Sequence, residues 1–229
     1  MTTRTRPAAL FFDLNETLLD LTETKASISD CLGGRDGLTA LWFSTLLHHS
    51  LVMTVSGQFA PFGEIAVSAL MMVARANEIP LSEEAAKNAI RPIRSAPPHP
   101  DVIQALQRLR EENFRMGVLT NSAANVMKQQ LATAEIDEFF DFRLSVEENG
   151  IYKPHRDVYR WAAAQEQLDP SDCMMIAAHG WDVGGAAWAG MRTAFVARPG
   201  QPLFPLAPSP EIVAPDMGKA AERLIGLPG

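Results

Sequence analysis

Cysteine is scarce in this chain: two residues in 229, Cys31 and Cys173, far apart and without the short spacing of a metal site. That argues against a disulfide-built fold and a thiolate metal centre, and suits idle thiols in a reducing compartment. Basic charge is also short, with 20 Lys and Arg against 27 Asp and Glu and a formal net charge of -7. Nucleic acid and anionic membrane both need a basic surface, so neither is expected as a main partner. A small anionic substrate stays open, because a local pocket can oppose the overall charge. No apolar run is expected to approach the ~18 or more residues of a membrane span, and no signal-peptide pattern is seen. Internal repeats and low-complexity tracts are missing too. A cytoplasmic location is the expectation.

What is present is an ordinary globular composition, 47% hydrophobic and 21% charged. The length allows one large domain, or a core with a smaller inserted unit. Near the start, Ala9 to Phe12 run straight into Asp13, and Leu14-Asn15-Glu16-Thr17 follows. A short continuous apolar run reads as a strand buried on both faces of a parallel sheet. Asp13 then stands at the carboxyl end of that strand, where open α/β sheets place their ligand crevice. A carboxylate held ionised there can act as a nucleophile; a lone one more often caps the next turn.

Beyond Leu19 the pattern turns helical up to about Ser95. It passes through the apolar-rich stretch Thr39 to Met53, a loop with Phe59 and Phe62, and Ile65, Ala69, Met72 and Val73 at helical spacing. Ser82-Glu83-Glu84 opens a further helix with acids in its first turn. Ala96-Pro97-Pro98-His99-Pro100 is a stiff break. After it, strands and helices alternate. Strands are predicted over Phe114 to Leu119, Phe142 to Val146, Cys173 to Ala178 and Thr193 to Ala197. Helices are predicted around Val102 to Leu109, over Ala123 to Ala134 and Asp157 to Gln165, in a short piece after a Gly-rich turn, and over Lys219 to Leu227. The expected fold class is therefore α/β, a Rossmann-like parallel sheet with helices on both faces. Residues 1–18 and 97–229 would form this core, and residues 19–96 an inserted helical cap over Asp13, shielding it from water.

Three more signals stand at predicted strand ends or loops: Thr120-Asn121-Ser122, then Lys153 in Tyr152-Lys153-Pro154, then His179-Gly180-Trp181-Asp182 before a Gly-rich stretch. Singly each has a plainer reading, as helix cap, surface lysine or turn. In this order at successive strand ends they resemble the four motifs of the haloacid dehalogenase-like hydrolases. Those motifs are an aspartate nucleophile, a Thr or Ser, a lysine and a late acid, matched here by Asp13, Thr120, Lys153 and Asp182. Trp181-Asp182 and Tyr152-Lys153-Pro154 with Tyr159 look most like the L-2-haloacid dehalogenase branch.

The resemblance implies (S)-2-haloacid hydrolysis through a covalent ester on Asp13, with no cofactor and no metal, and it suggests a homodimer. Catalytic roles would fall to Asp13, Thr17, Thr120, Lys153 and Asp182. Lys153 would keep Asp13 ionised, the two threonines would orient carboxylates, and Asp182 would hold Lys153. Substrate contacts would come from Asn15, Trp42, Phe43, Asn121, Tyr159 and Trp181. A phosphatase of this family needs an acid two residues after the nucleophile, and Asn15 stands there, unable to deliver a proton. It also needs Mg²⁺, and His179 stands where a hard oxygen ligand is expected. Three positions depart from the haloacid dehalogenases. Phe43 follows Leu41-Trp42 where they carry arginine, Ala177 replaces a serine, and His179 replaces an asparagine. Phe43→Arg is accordingly expected to raise the rate on 2-chloropropionate. His179, with an ordinary pKa of ~6.5, suits deprotonation of the water that attacks the ester; the plainer alternative is a histidine that fixes the turn. The rival readings are a phosphatase or phosphonate hydrolase, and a binding protein that kept the fold without the chemistry.

Overall fold

The computed structural model describes residues 5–228; the outermost ends of the two predicted core segments, residues 1–4 and 229, lie outside it. The first strand, β1 (Ala9–Phe12), is followed by four helices: α1 (Thr22–Cys31), α2 (Leu38–Val55), α3 (Phe62–Ala76) and α4 (Glu83–Ile90). Then come α5 (Val102–Glu111), β2 (Met116–Thr120), α6 (Ala124–Thr133), β3 (Phe142–Ser145) and α7 (Arg156–Gln165). The chain closes with β4 (Cys173–Ala177), α8 (Gly180–Ala189), β5 (Arg192–Val196), β6 (Ile212–Ala214) and α9 (Met217–Ile225).

The six strands form one sheet in the order β3-β2-β1-β4-β5-β6, and every neighbouring pair is parallel. All four residues of β1 are buried, which is why its sequence is apolar throughout rather than alternating. Alternation still assigns the faces. Phe11 and Met175 point into a cluster with Tyr159, Ala162 and Val183 of α7 and α8. Leu10, Phe12 and Met174 point into another with Leu106, Leu109, Ala221 and Leu224 of α5 and α9. Removing an aromatic ring such as Phe12 from such a core costs about 3–5 kcal/mol.

Local chemistry sets the element ends. Ser82 caps α4 by accepting from Ala85 N at 3.2 Å, with Glu83 and Glu84 in the first turn. Asp216 caps α9 by accepting from Lys219 N at 2.7 Å. The proline-rich break lies antiparallel to the segment after β1, with His99 N donating to Leu18 O and Asp20 N to Pro97 O. Both ends of the four-helix insertion therefore leave the sheet side by side.

Three sequence expectations need correction. The predicted Gly-rich turn is the body of α8. Its glycines are there for contact, since a Cβ on Gly185 would stand 2.5 Å from Pro154 Cβ and 2.8 Å from the Tyr159 hydroxyl. Strand β6 was not anticipated, because three residues after a proline-rich loop carry too short a pattern to read. Finally, α2 is 18 residues long with a mean hydropathy of 1.3, enough by length and composition to cross a membrane. Uncharged His, Ser and Thr break up its apolar residues in the sequence, so the run looked shorter than it is. Only 17% of it is buried. Its Trp42 Nε1 donates to Ala66 O of α3 at 3.0 Å, and Phe43 and Leu47 face a cavity.

Candidate active site

From β1 the chain runs outward through β2 and β3, then returns to place β4 on the other side of β1. The direction of winding reverses between β1 and β4, so a crevice opens beyond their carboxyl ends. Asp13 leaves β1 there, its N–H donating to Ile176 O of β4 at 3.0 Å. His179 to Asp182 follow β4, Thr120 ends β2 with Asn121 and Ser122 after it, and Lys153 lies in the loop after β3, three residues before α7 begins.

Lys153 is wholly buried, and its ammonium has a partner for each of its three protons: Asp13 Oδ1 at 2.9 Å, Asp182 Oδ2 at 2.6 Å and Leu119 O at 2.9 Å. Burial works against its charge, but the two carboxylates outweigh it and raise its pKa. Asp13 Oδ2 accepts from Thr17 Oγ1 at 2.7 Å and faces His179 Nδ1 at 3.2 Å. Burial pushes the Asp13 carboxyl up, yet Lys153, His179 and Thr17 together hold it well below the usual carboxylate range. It stays ionised, as a carboxylate nucleophile must. Burial pushes the Asp182 carboxyl up against the pull of Lys153 and Tyr159. Its Oδ1 accepts from the Tyr159 hydroxyl at 2.6 Å.

The remaining expected residues divide. Thr17 orients Asp13 and also accepts from Ala178 N at 2.9 Å. Thr120 hydrogen-bonds no carboxylate among the described residues; its hydroxyl accepts from Ser122 N at 3.1 Å, which closes the turn. Asn15 borders the cavity, with its amide tied to Ser122 Oγ at 3.0 Å and to Gln130 Nε2 at 2.8 Å. Asn121 Oδ1 accepts from Lys153 N at 3.0 Å, so it holds the lysine loop. Tyr159 is fully buried behind Asp182 and does not border the cavity, which puts it out of reach of a substrate there. Of the four aromatics in the helical insertion, Trp42, Phe43 and Phe62 line the cavity, while Phe59 lies away from it, stacked on Tyr152 with centroids 5.2 Å apart.

That cavity has a volume of about 660 Å³. Asp13, Lys153 and His179 give it a charged floor, and Leu21, Leu46, Leu47 and Phe43 give it apolar walls. Trp181 Nε1 is buried beside it without a hydrogen-bond partner among the described residues. His179 is sandwiched between Phe43, at 5.7 Å between centroids, and Trp181, at 5.1 Å.

The residue that sequence reasoning missed is Glu16. Its Oε2 lies 3.0 Å from His179 Nε2, its Oε1 accepts from Gln201 Nε2 at 3.2 Å, and Lys25 pairs with it at the cavity rim. Burial pushes the Glu16 carboxyl up, but His179 and Lys25 outweigh this and bring it down to about 2. The acids that act on His179 are therefore Asp13 and Glu16. Burial alone would lower the pKa of His179; hydrogen bonds to those two carboxylates raise it to about 9. Glu16 and His179 are 163 positions apart, so only the backbone of the turn after β1 carried a hint. Glu16 has φ of 61°, a left-handed conformation uncommon for a glutamate.

The donor set suits Mg²⁺ poorly. Both oxygens of Asp13 are engaged by cations and a hydroxyl, the position two residues on is an amide, and His179 supplies imidazole where a hard ion needs oxygen.

Comparison with known proteins bears on the family and the fold. The family model for haloacid dehalogenase-like hydrolases matches residues 7–190. The chain is 25% identical over 195 residues to (S)-2-haloacid dehalogenase 4A of Burkholderia cepacia, covering 85% of this chain and 84% of that protein. It is 26% identical over 195 residues to (S)-2-haloacid dehalogenase 1 of Pseudomonas sp. strain CBS-3, covering 85% and 86%. It shares its fold with L-2-haloacid dehalogenase from Xanthobacter autotrophicus with chloropropionic acid covalently bound, at a TM-score of 0.85, 22% identity, and coverage of 96% and 99%. The match spans most of the sheet and the four-helix insertion, and this chain belongs to the haloacid dehalogenase-like hydrolases.

Proposed function

We propose that this enzyme hydrolyses the carbon–halogen bond of short (S)-2-haloalkanoic acids through a covalent ester on Asp13, with residues 19–96 acting as the cap. One observation carries the reading: Asp13 is held ionised by a buried lysine while Asn15, two residues on, has no proton to give. A leaving group that departs as a stable anion suits such a site, and an alkoxide does not. A carboxylate oxygen of Asp13 attacks C2 in line, the C2–halogen bond breaks, and the halide leaves with the bonding electron pair. Water then attacks the ester carbonyl carbon, not C2, so the 2-hydroxy acid carries one inversion. The names of the similar proteins support this substrate class, and the apolar walls over a charged floor suit it.

The test is a screen of 2-haloacids and phosphate esters, with and without a chelator, run in heavy-oxygen water. Halide release that survives chelation, inverted product and heavy oxygen in the peptide containing Asp13 are expected. Phosphate release that requires Mg²⁺, or an octahedral ion bridging Asp13 and Asp182, would put the phosphatase reading first. Ligand binding without turnover would favour the binding protein.

A further inference from the structure

We propose that Glu16 and His179 form a general-base pair for hydrolysis of the ester, silent while Asp13 is ionised and released when Asp13 is esterified. This rests on the ester reading above and adds a residue and a switch to it. The geometry is a carboxylate–imidazole–carboxylate line. Glu16 Oε2 is 3.0 Å from Nε2, and Asp13 Oδ2 is 3.2 Å from Nδ1. A base oriented by an acid on its far nitrogen, with its near nitrogen on the reacting group, is the arrangement that general-base catalysis requires.

The backbone supports an acquired role for Glu16. Among the described residues, the other non-glycine ones with positive φ are Glu78, Asn113, Glu135 and Gln167, and each directly follows the C-cap residue of a helix. Glu16 follows no helix. Its conformation costs on the order of 1 kcal/mol, and it holds the side chain beneath His179. Gln201 and Lys25 then fix the carboxylate from two further segments.

The switch follows from the charges around the imidazole. Asp13 and Glu16 favour its protonated form. Lys153, paired with Asp13 and Asp182, opposes it, and so does Lys25 beyond Glu16. Phe43 and Trp181 cover its two faces and carry no charge. In the free enzyme both carboxylates are ionised and His179 is an imidazolium, with no lone pair to take a proton. Ester formation removes the negative charge of Asp13 and leaves Lys153 less compensated. His179 then releases its proton to solvent as the halide departs. Its bare Nδ1, 3.2 Å from Asp13 Oδ2, now stands within one water's reach of the ester carbonyl carbon. It takes a proton from the attacking water, the ester C–O bond breaks, and His179 gives that proton to the leaving alkoxide, while water's second proton stays on the Asp13 carboxyl. The last proton returns to His179 beside a regenerated Asp13 carboxylate. Summed over both halves, haloacid and water give hydroxy acid, halide and one proton.

The experiment is one turnover of (S)-2-chloropropionate followed by rapid quench, reading chloride and the intact-protein mass. For His179→Asn the expected result is a first chloride released within about threefold of the wild-type rate, a persistent ester on the peptide containing Asp13, and steady-state turnover at least ~100-fold lower. In wild type, ester hydrolysis should rise with pH through the His179 titration. Glu16→Gln should move that rise to lower pH, because an anion favouring imidazolium is gone, and should lower its plateau roughly tenfold. Equal loss in both halves, or no accumulated ester, in His179→Asn would overturn the proposal. Should that variant not fold, an unshifted pH profile in Glu16→Gln overturns it. Wild-type chloride release without heavy oxygen in Asp13 would sink the ester reading itself, and this proposal with it. Label in Asp13 with no accumulation in the variants would sink this proposal alone.

Discussion

The ring of Phe43 lies over the imidazole of His179, with centroids 5.7 Å apart and planes 27° from parallel. The haloacid dehalogenases that this chain resembles carry an arginine and an asparagine at these two positions. Here the pair is inverted: the apolar ring sits on the helical insertion and the cationic group in the turn between β4 and α8.

That inversion changes what is expected of Phe43→Arg. A guanidinium facing an imidazolium at this separation costs on the order of 3 kcal/mol at an effective dielectric of ~20. The single variant should therefore slow the first-turnover chloride burst at least ~tenfold, against the gain expected from sequence alone. Combining it with His179→Asn should recover much of the burst rate. A gain in the single variant would show that His179 is neutral when substrate binds.

Asp13→Asn should abolish turnover and leave a folded protein, because an amide is a poor nucleophile at carbon. Lys153 keeps Asp182 and His179 keeps Glu16 as counterions, so no buried cation is stranded. Halide release by this variant above background would assign the nucleophile elsewhere.

Tyr159→Phe tests the layer behind the site. Burial and the neighbouring Asp182 raise the tyrosine's pKa far up, so its hydroxyl is a donor at any working pH. Deleting it leaves one oxygen of a buried carboxylate short of a partner, at a cost of roughly 1–3 kcal/mol. Because Tyr159 does not border the cavity, kcat should fall with little change in KM. A large rise in KM with kcat intact would restore it to the substrate-contacting set.

Gly185→Ala should disturb the lysine loop through packing alone. The new methyl would overlap Pro154 and the Tyr159 hydroxyl. Overpacking of this kind costs about 1–3 kcal/mol, and the displaced loop carries Lys153. A lowered Tm together with reduced kcat is the expected pair; a fully active variant would mean the loop yields without moving the lysine.

His179 also predicts how stability depends on pH. Its pKa is raised on folding from 6.5 to about 9, so its contribution is fully present below pH 6.5 and is lost as pH rises through about 9. The scale is roughly 3 kcal/mol. Thermal melts between about pH 6 and 10 should show a steeper alkaline decline in wild type than in His179→Asn. Parallel curves would show that His179 does not carry it.

Residues within a strand and its following turn were legible from order alone. Ala9 to Phe12 had to be a buried strand, Asp13 had to stand at its end, and alternation of strand and helix implied the parallel sheet, because each depends on neighbours a few positions away. Lys153 on Asp13 was reachable only through the resemblance, since a lysine's local sequence does not reveal burial. The rest was decided by topology. Winding that reverses between β1 and β4 brings the turn after β1 against the end of β4, and so sets Glu16 on His179 across 163 positions. The same packing puts Tyr159 behind Asp182 rather than in the cavity, and presses α8 so close to Pro154 that only glycine fits at position 185. Periodicity and motif spacing report what a residue's sequence neighbours require of it. The charge on His179 depends on two carboxylates that only the folded sheet brings within 3.2 Å.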